Sequence, residues 1–229
     1  MSLSEKLSVK VHLLKSALPG AKGRFEMDYW KNKFQEEGGK FKNDHYEHLY
    51  TTVWGLGHDF FEGKKMLDIG CGPRGSLEWA DMTAERVGID PIVDKYRGLG
   101  IEKHKMRYCH SPVEKAPFED GHFDIVTSFN SLDHVDAVDP AIAEIKRVCK
   151  PGGTFLLLVE VLHNPNICEP HTLDWNVVDR FKPEFEVELT EHYEHDAEKM
   201  ADILAGPRYN HDNPAERSGI LKARFRRVG

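Results

Sequence analysis

The sequence predicts an α/β fold with a mostly parallel, doubly wound sheet, an antiparallel edge and extra N-terminal helices. Short apolar segments alternate with helical segments from residue 64 onward, which is the pattern of parallel strands joined by crossover helices. The first apolar segment leads into a glycine-rich turn, and the second ends at an acidic residue. Two late strands follow each other without a long helix between them, and this favours an antiparallel edge.

The glycine-rich turn lies in the stretch 65–75, which reads KMLDIGCGPRG. Asp68 is at the end of the first predicted strand, and Gly70, Gly72 and Gly75 follow with the spacing G-x-G-x-x-G. Glycine allows a sharp turn with positive φ and lets a ligand approach the backbone without meeting a Cβ atom. This motif alone is a weak signal, so its surroundings decide its meaning.

Those surroundings support a nucleotide-type site. The second predicted strand ends at Asp90, twenty positions after Gly70. In a βαβ nucleotide-binding unit, a carboxylate at this place accepts the two ribose hydroxyls. The two strand ends together predict a site for a ligand that contains a nucleoside.

The remaining elements follow from periodicity and from turn residues. The segment 154–159 is apolar throughout, as expected of a central strand buried on both faces. The helix before this strand begins at Pro140, which is a favourable residue in the first turn of a helix. The predicted strands are 65–69, 85–89, 106–110, 123–128, 154–159, 184–190 and 219–227. The predicted helices are 1–18, 25–37, 43–62, 76–82, 92–99, 140–149, 172–181 and 196–205.

Two of the N-terminal helices leave alternatives open. Helix 1–18 is amphipathic but lacks aromatic anchors, which favours packing on its own domain or over the active site rather than on a membrane. Helix 43–62 is rich in histidine and tyrosine, and these side chains form either a half-buried helix face or a wall of the substrate pocket. In the second case, Tyr46 is the expected substrate contact.

Composition restricts the class of protein. The chain has 229 residues and a net charge of −7, with no basic stripe of the kind that nucleic-acid binding uses. Its first residues contain no apolar core of the length expected of a signal peptide, no apolar run is long enough to span a membrane, and its four cysteines form no regular pairs. We therefore expect one cytoplasmic domain, compatible with a homodimer, that acts on a small molecule. It would comprise a helical cap (1–62), a cofactor-binding core (64–160) and a substrate-side region (161–229).

Four groups of segments carry a resemblance to a known family. In order, they are LDIGCGP at 67–73, GID at 88–90, EKAPF with GHFDIV at 114–126, and EIKRV with KPGG at 144–153. The region 64–160 resembles the class I S-adenosylmethionine-dependent methyltransferases, specifically the small-molecule group that includes the ubiquinone and menaquinone biosynthesis methyltransferases. The resemblance implies a Rossmann-like, seven-stranded methyltransferase fold with S-adenosylmethionine as cofactor.

The resemblance also implies the cofactor contacts. Asp68 or a neighbouring carbonyl would take the ammonium group, and Asp90 the ribose hydroxyls. The turn has no lysine, which agrees with a cofactor that has no phosphates. Pro112 stands where the family often has an acidic residue for the adenine amino group, so adenine recognition would use backbone groups or Ser111. The implied cofactor residues are Asp68, Gly70, Cys71, Gly72, Asp90, Pro91, Ser111, Val113, Glu114 and Asn130.

The acceptor side is expected in the loops after the fourth and fifth strands, because ligands bind beyond the carboxyl ends of parallel strands. The first loop holds Asp133 and His134, either of which could orient a substrate or serve as a base. The second loop, 160–171, holds histidines, carboxylates and a cysteine. The predicted catalytic residues are His163, His134 and Asp133, and the predicted substrate contacts are Tyr46, His163, Glu169 and His171.

A metal site built from Glu160, His163, Glu169 and His171 was the bolder interpretation of the second loop. Its spacing matches no metal motif, so the sequence predicts no metal. His192, Tyr193 and His195 follow a late strand and are expected on the surface, with pocket lining as the alternative.

The polar loops favour O-methylation of a sugar or a saccharide-bearing metabolite over methylation of an apolar quinone. The alternative is a cofactor-binding protein of the same fold that does not transfer methyl. A nicotinamide dehydrogenase is a third hypothesis, which predicts binding of a dinucleotide.

Overall fold

A computed structural model describes residues 20–195, 206–213, 215 and 217–229. The helices predicted at 1–18 and 196–205 lie outside these residues. The described part of the chain contains a seven-stranded sheet. Its strands are β1 (Lys65–Ile69), β2 (Glu85–Asp90), β3 (Arg107–His110), β4 (Phe123–Phe129), β5 (Cys149–Val161), β6 (Phe185–Glu194) and β7 (Gly219–Arg227).

The strand order is β3-β2-β1-β4-β5-β7-β6. Strands β1 to β5 pair in parallel, whereas β7 pairs antiparallel with both β5 and β6. The predicted sheet with its antiparallel edge is therefore confirmed. The order reverses between β1 and β4, and at such a point the connections leave in opposite directions and open a crevice for a ligand.

Two of the predicted helices, 25–37 and 140–149, are present with slightly shifted ends, whereas the other helical segments in the described residues are shorter than the sequence predicts. The α-helices are α1 (Ala21–Glu36), α2 (His45–Tyr50), α3 (His58–Phe61) and α4 (Val138–Val148). Six 3₁₀ helices accompany them within the described ranges: Thr52–Trp54, Val93–Tyr96, Ile101–Lys103, Val113–Lys115, Leu132–His134 and Trp175–Phe181.

Four predicted helices needed correction, and left-handed glycines explain three of the cases. The helix at 43–62 is broken, because Gly55 adopts φ 65° between its two halves. The helix at 76–82 is wrong, since turns fill this region directly after Gly75 at φ 77°. The helix at 92–99 is only a 3₁₀ turn, and Gly98 follows it at φ 89°. The segment 172–181 is likewise a 3₁₀ helix rather than an α-helix.

β5 begins earlier than predicted but contains the predicted turn. Phe123 pairs with Cys149 and Ile125 with Thr154, so residues 150–153 bulge out of the ladder. Gly152 has φ 76° there, which a glycine adopts without strain. The Pro-Gly-Gly turn is thus an irregularity inside one strand pair rather than a connection before the strand.

The sheet is covered on both faces. Leu67 and Ile69 of β1 belong to an apolar cluster that includes the buried face of α4. Met66, which points to the opposite face, belongs to a second cluster with residues of α2 and α3. A third cluster joins α1 to the segment after β2. Among the described residues, no helix combines the length and the apolar character that a membrane span requires.

Phe155 is central to the antiparallel side of the core. Its fully buried ring lies 5.0 Å from Phe181 and 5.4 Å from Phe225, measured between ring centroids. We expect Phe155→Ala to lower the free energy of unfolding by about 3–5 kcal/mol, because it removes a buried ring and leaves a cavity. Urea denaturation would measure this loss. Phe155→Leu is the matched control and should cost clearly less; equal costs would contradict the assigned packing.

Candidate active site

A cavity of about 550 Å³ opens at the carboxyl ends of β1, β2 and β4. This is within the range of small-molecule sites, roughly 300–1,000 Å³. The strand ends supply its floor, and α1 and α2 supply its outer walls. Twelve predicted site residues line it: Tyr46, Asp68, Gly70, Cys71, Gly72, Asp90, Pro91, Val113, Glu114, Asn130, His134 and Glu169.

The glycine turn is packed too closely for side chains. Gly70 has φ 69°, and a Cβ atom there would lie 2.3 Å from the Ser131 Cβ. Gly72 has φ 57°, and a Cβ atom there would lie 2.8 Å from the indole of Trp30. Both positions therefore require glycine for conformation and for space. The first contact joins the turn to the loop after β4, and the second joins it to α1.

Asp90 faces the cavity from the end of β2. Its carboxylate accepts hydrogen bonds from the Gly72 N–H at 3.3 Å, the Ile92 N–H at 3.0 Å and the Tyr96 hydroxyl at 3.1 Å. A carboxylate has about four acceptor positions, so capacity remains for a ribose hydroxyl. Burial raises the pKa of the Asp90 carboxyl to about 6, against the lowering effect of the Ile92 and Gly72 N–H groups.

Asp68 lies behind the glycine turn and is almost fully buried. Its oxygens accept hydrogen bonds from the Ser76 hydroxyl at 2.5 Å and the Thr127 hydroxyl at 2.7 Å. Burial raises the pKa of this carboxyl to about 6, although both hydroxyls oppose the shift. The side chain holds the turn against β4 and also presents a carboxylate to the cavity.

The predicted adenine side is only partly assembled as expected. Pro91, Val113 and Glu114 line the cavity, whereas Ser111 does not. The Ser111 hydroxyl is used by carbonyls of its own turn, including that of Lys115 at 3.0 Å. The Glu114 carboxylate accepts from the N–H groups of residues 136 and 137, at 2.7 and 3.0 Å, so it fixes the loop after β4.

The loop after β4 turns sharply at Asn130. This residue has φ 51°, which is uncommon for a residue other than glycine, and its N–H donates to the Leu158 carbonyl at 2.7 Å. The Ser131 hydroxyl then donates to the Ile69 carbonyl at 2.7 Å. The 3₁₀ turn that follows sends Asp133 into the protein, fully buried, while His134 lines the cavity.

His163 does not line the cavity, contrary to its predicted catalytic and substrate-binding role. It is 8% exposed, and its Nε2 lies 3.3 Å from Asp133 Oδ2. Its Nδ1 lies 3.1 Å from the Asn164 carbonyl oxygen. Leu162, at φ 61°, turns the chain at the end of β5 and directs the imidazole toward the interior. The geometry therefore argues against direct contact of His163 or Asp133 with an acceptor.

The other predicted residues of the second loop separate. Glu169 lines the cavity, with Oε1 3.5 Å from His134 Nε2. His171 instead contacts the Val135 carbonyl at 3.0 Å and lines a different, shallow cleft. Glu160 pairs with His195 at 3.2 Å. The four-residue metal set considered from the sequence is therefore not brought together.

The charges around His134 act in opposite directions. Burial lowers the pKa of this imidazole, but the carboxylate of Glu26, whose Oε1 lies 3.8 Å from Nδ1, and the charges of Asp133 and Glu169 outweigh it, so the net shift is upward. Burial raises the pKa of the Asp133 carboxyl. His134 and Glu169 of this polar cluster line the same cavity as the aromatic side chain of Tyr46.

Several cavity residues were not predicted from the sequence. α1 contributes Lys22, Glu26 and Trp30 at intervals of four, which puts them on one helix face. That spacing is the signal that could have identified them. Phe129, whose ring lies 4.6 Å from that of Tyr50, directly follows the predicted fourth strand (123–128) and is not among the predicted site residues. Tyr96 was placed in a helix, and its contact with Asp90 could not be inferred without the tertiary fold.

Comparison with known proteins identifies the core. The family model for a methyltransferase domain matches residues 67–157. These residues are a class I methyltransferase domain. S-adenosylmethionine is the cofactor of this class, and the close-packed glycine turn and the carboxylate of Asp90 fit its methionine and ribose parts.

The relatives of this methyltransferase domain include quinone-pathway enzymes. The ubiquinone/menaquinone biosynthesis C-methyltransferase UbiE of Stutzerimonas stutzeri is 39% identical over 89 residues, covering 38% of this chain and 33% of the relative. UbiE of Pseudomonas fluorescens is 31% identical over 160 residues, covering 69% of this chain and 58% of the relative. The match to the first of these relatives thus spans about a third of that protein's length.

Solved structures show the same fold at low identity. N-methyltransferase NodS from Bradyrhizobium japonicum, in complex with S-adenosyl-L-homocysteine, has a TM-score of 0.58 at 15% identity, covering 82% of this chain and 90% of NodS. The [4+2]-cyclase SpnF has a TM-score of 0.55 at 20% identity, covering 73% of this chain and 76% of SpnF. At these identities, the likeness concerns the fold alone.

The buried carboxylate of Asp90 should make cofactor binding sensitive to pH. Because the ionised form accepts the ribose hydroxyls and its pKa is about 6, affinity for S-adenosylhomocysteine should be retained above that pH and lost as the pH falls through it. One pH unit below the pKa, the loss should approach tenfold. Calorimetry at about pH 5 and 7.5 would measure it.

Asp90→Asn should bind weakly at both pH values and lose the part of the pH dependence that comes from Asp90, whereas the part that comes from Asp68, whose carboxyl also has a pKa of about 6, should remain. Asp81→Asn, a change at an exposed carboxylate outside the cavity, is the control and should behave as the wild type. An affinity that stays constant across this range in the wild type would contradict the role of Asp90.

Proposed function

We propose that the chain transfers the methyl group of S-adenosylmethionine to a small acceptor bound in the cavity. The observation that carries this proposal is that one cavity joins the Asp90 and glycine-turn region to a wall of aromatic and polar side chains. The net charge of −7 further favours a small molecule over a nucleic acid as acceptor. A homodimer remains compatible with this proposal.

The proposed contacts to the methyl donor lie at the carboxyl ends of β1 and β2. When bound, S-adenosylmethionine supplies a methyl group on a cationic sulfur, which is already a good leaving group. The chain's main contribution is then alignment of donor and acceptor. Asp90 would hold the ribose, and the backbone of the turn at Gly70–Gly72 would pass close to the methionine part.

The acceptor side supports O-methylation of a sugar or a saccharide-bearing metabolite. The rings of Tyr46, Tyr50 and Phe129 and the polar groups of His134 and Glu169 line the same cavity. Such a wall suits a compact molecule with an apolar face and hydroxyl groups. C-methylation of a quinone, the reaction named in the UbiE relatives, would make less use of the polar cluster.

Methylation of a hydroxyl requires that its proton leave. The acceptor oxygen forms a bond to the methyl carbon as the carbon–sulfur bond breaks, and that electron pair stays on sulfur. Of the three side chains predicted to be catalytic, His134 alone lines the cavity. We therefore assign to His134 and its cluster the task of binding the hydroxyl and assisting removal of its proton.

A reaction without methyl transfer is the second candidate. The observation that favours it is the fold shared with SpnF, which is named as a [4+2]-cyclase. A cofactor-binding fold does not by itself establish the chemistry.

Incubation with methyl-labelled S-adenosylmethionine and a panel of sugars, quinols and amines would separate the two candidates. The proposal expects labelled product and S-adenosylhomocysteine in equal amounts, with mass spectrometry locating the methyl group on oxygen. Cofactor binding without any methylated product, from the panel or from cell extracts, would favour the second candidate. A product labelled on carbon would retain methyl transfer but reject the saccharide acceptor.

His134→Ala should lower turnover by about 100-fold or more, because it removes the polar group nearest the expected acceptor hydroxyl. Affinity for S-adenosylhomocysteine should change little, since Asp90 and the glycine turn are untouched. The readouts are initial rates and calorimetry. His58→Ala alters an exposed histidine paired with Glu47 and serves as the control. Unchanged turnover in the His134 variant would reject its role.

A further inference from the structure

Three side chains beside the cofactor cavity form a compact set of potential metal ligands. One atom each from Asp133, His134 and Glu169 lies within 4.8 Å of the other two. Two of the residues come from the loop after β4 and one from the loop after β5, so the sheet brings them together. Neither loop contains a recognisable metal-binding motif in its sequence.

The buried carboxylate of Asp133 receives no hydrogen bond from the described residues. The side chain is fully buried, and neither of its oxygens has a hydrogen-bond partner among the residues that the structure describes. An ionised carboxylate in such a place is costly unless a cation or a proton neutralises it. His163 Nε2 lies 3.3 Å from Asp133 Oδ2, but this contact does not have the geometry of a hydrogen bond.

The tautomer of His163 explains why this imidazole does not donate a hydrogen bond to Asp133. A carbonyl oxygen only accepts, so the 3.1 Å contact with the Asn164 carbonyl requires a proton on Nδ1 of His163. In the neutral imidazole, Nε2 then carries a lone pair and faces a carboxylate oxygen that also carries lone pairs. A cation held by Asp133 would draw charge away from this contact and relieve the repulsion.

The other two side chains are already oriented toward a common point. His134 Nε2 is buried, makes no hydrogen bond within the described part of the chain and lies 3.5 Å from Glu169 Oε1. The Asn166 amide donates to Glu169 Oε2, which leaves Oε1 directed at the imidazole. Lys22 from α1 donates to the His134 carbonyl and fixes the loop from the other side.

We propose that Asp133, His134 and Glu169 bind one divalent first-row cation on the acceptor side of the cavity. Imidazole with two carboxylates suits ions such as Mn²⁺ and Zn²⁺. In a site with bonds of about 2.0–2.2 Å, neighbouring ligand atoms are about 3 Å apart, so side-chain movements of about 1 Å would close this set. Two negative charges would balance the charge of the ion.

The site deepens the proposed function and, in its catalytic role, rests on it. His134 and Glu169 line the cavity, so the open coordination positions would face the acceptor. A hydroxyl oxygen bound there would have a lowered pKa. Its O–H bond would break with the proton passing to water at the cavity mouth, and the oxygen electron pair would form the bond to the methyl carbon.

Titration of the chelator-treated full chain with MnCl₂ tests the site, by calorimetry and by the electron paramagnetic resonance signal of free Mn²⁺. One bound ion per chain is expected, displaced by Zn²⁺. Glu169→Gln and His134→Ala should each weaken binding at least about tenfold. Asp133→Asn should also weaken binding at least about tenfold. Because Glu169 is only partly buried, its variant tests the site without a change in the buried core.

Asp81→Asn is the matched control, because it removes an exposed carboxylate that lies outside the cavity, and its Mn²⁺ affinity should equal that of the wild type. No uptake of Mn²⁺ or Zn²⁺ by the wild type would overturn the proposal, as would uptake that the Glu169 and His134 variants leave unchanged. Ion binding without methyl transfer would retain the site and reject the proposed function. Methyl transfer by a chain that binds no ion would reject the metal site and retain the proposed function.

Discussion

The close packing of the turn after β1 is the constraint on which the rest of the site depends. Gly70 lies against Ser131, and Gly72 lies against Trp30, at distances that leave no room for a Cβ atom. The same turn donates a hydrogen bond from Gly72 to Asp90 at 3.3 Å. Three separate parts of the chain therefore meet at two glycines, and the cavity takes its shape from that meeting.

The acceptor side depends on a different feature, the sharp turns of the backbone directly after β4 and β5. Asn130 after β4 and Leu162 after β5 both adopt positive φ, at 51° and 61°. Strained backbone of this kind persists where surrounding contacts enforce it, and it often occurs at functional sites. Here it turns His163 inward toward Asp133 and leaves His134 and Glu169 at the cavity.

The backbone conformation of the loops decides the direction of side chains that the sequence pattern leaves open. Asp133 and His134 are adjacent, and only the 3₁₀ turn at Leu132–His134 decides that one is buried and the other lines the cavity. His163 was favoured as a base because it follows β5 directly, yet one left-handed residue before it reverses its direction. The prediction of a helix at 76–82 is wrong for a related reason, since the left-handed Gly75 at φ 77° turns the chain directly before this segment.

The amino-acid sequence by itself determined the seven strands in their order along the chain, the antiparallel edge, the glycine turn and the acid at the end of β2. These features are encoded locally, by apolar periodicity and by residues that favour or interrupt regular structure. Only the tertiary structure decided which polar residues share one cavity, because loops distant in sequence meet there and small backbone rotations set the direction of each side chain. The face of α1 that covers the cavity and the grouping of Asp133, His134 and Glu169 belong to this second kind.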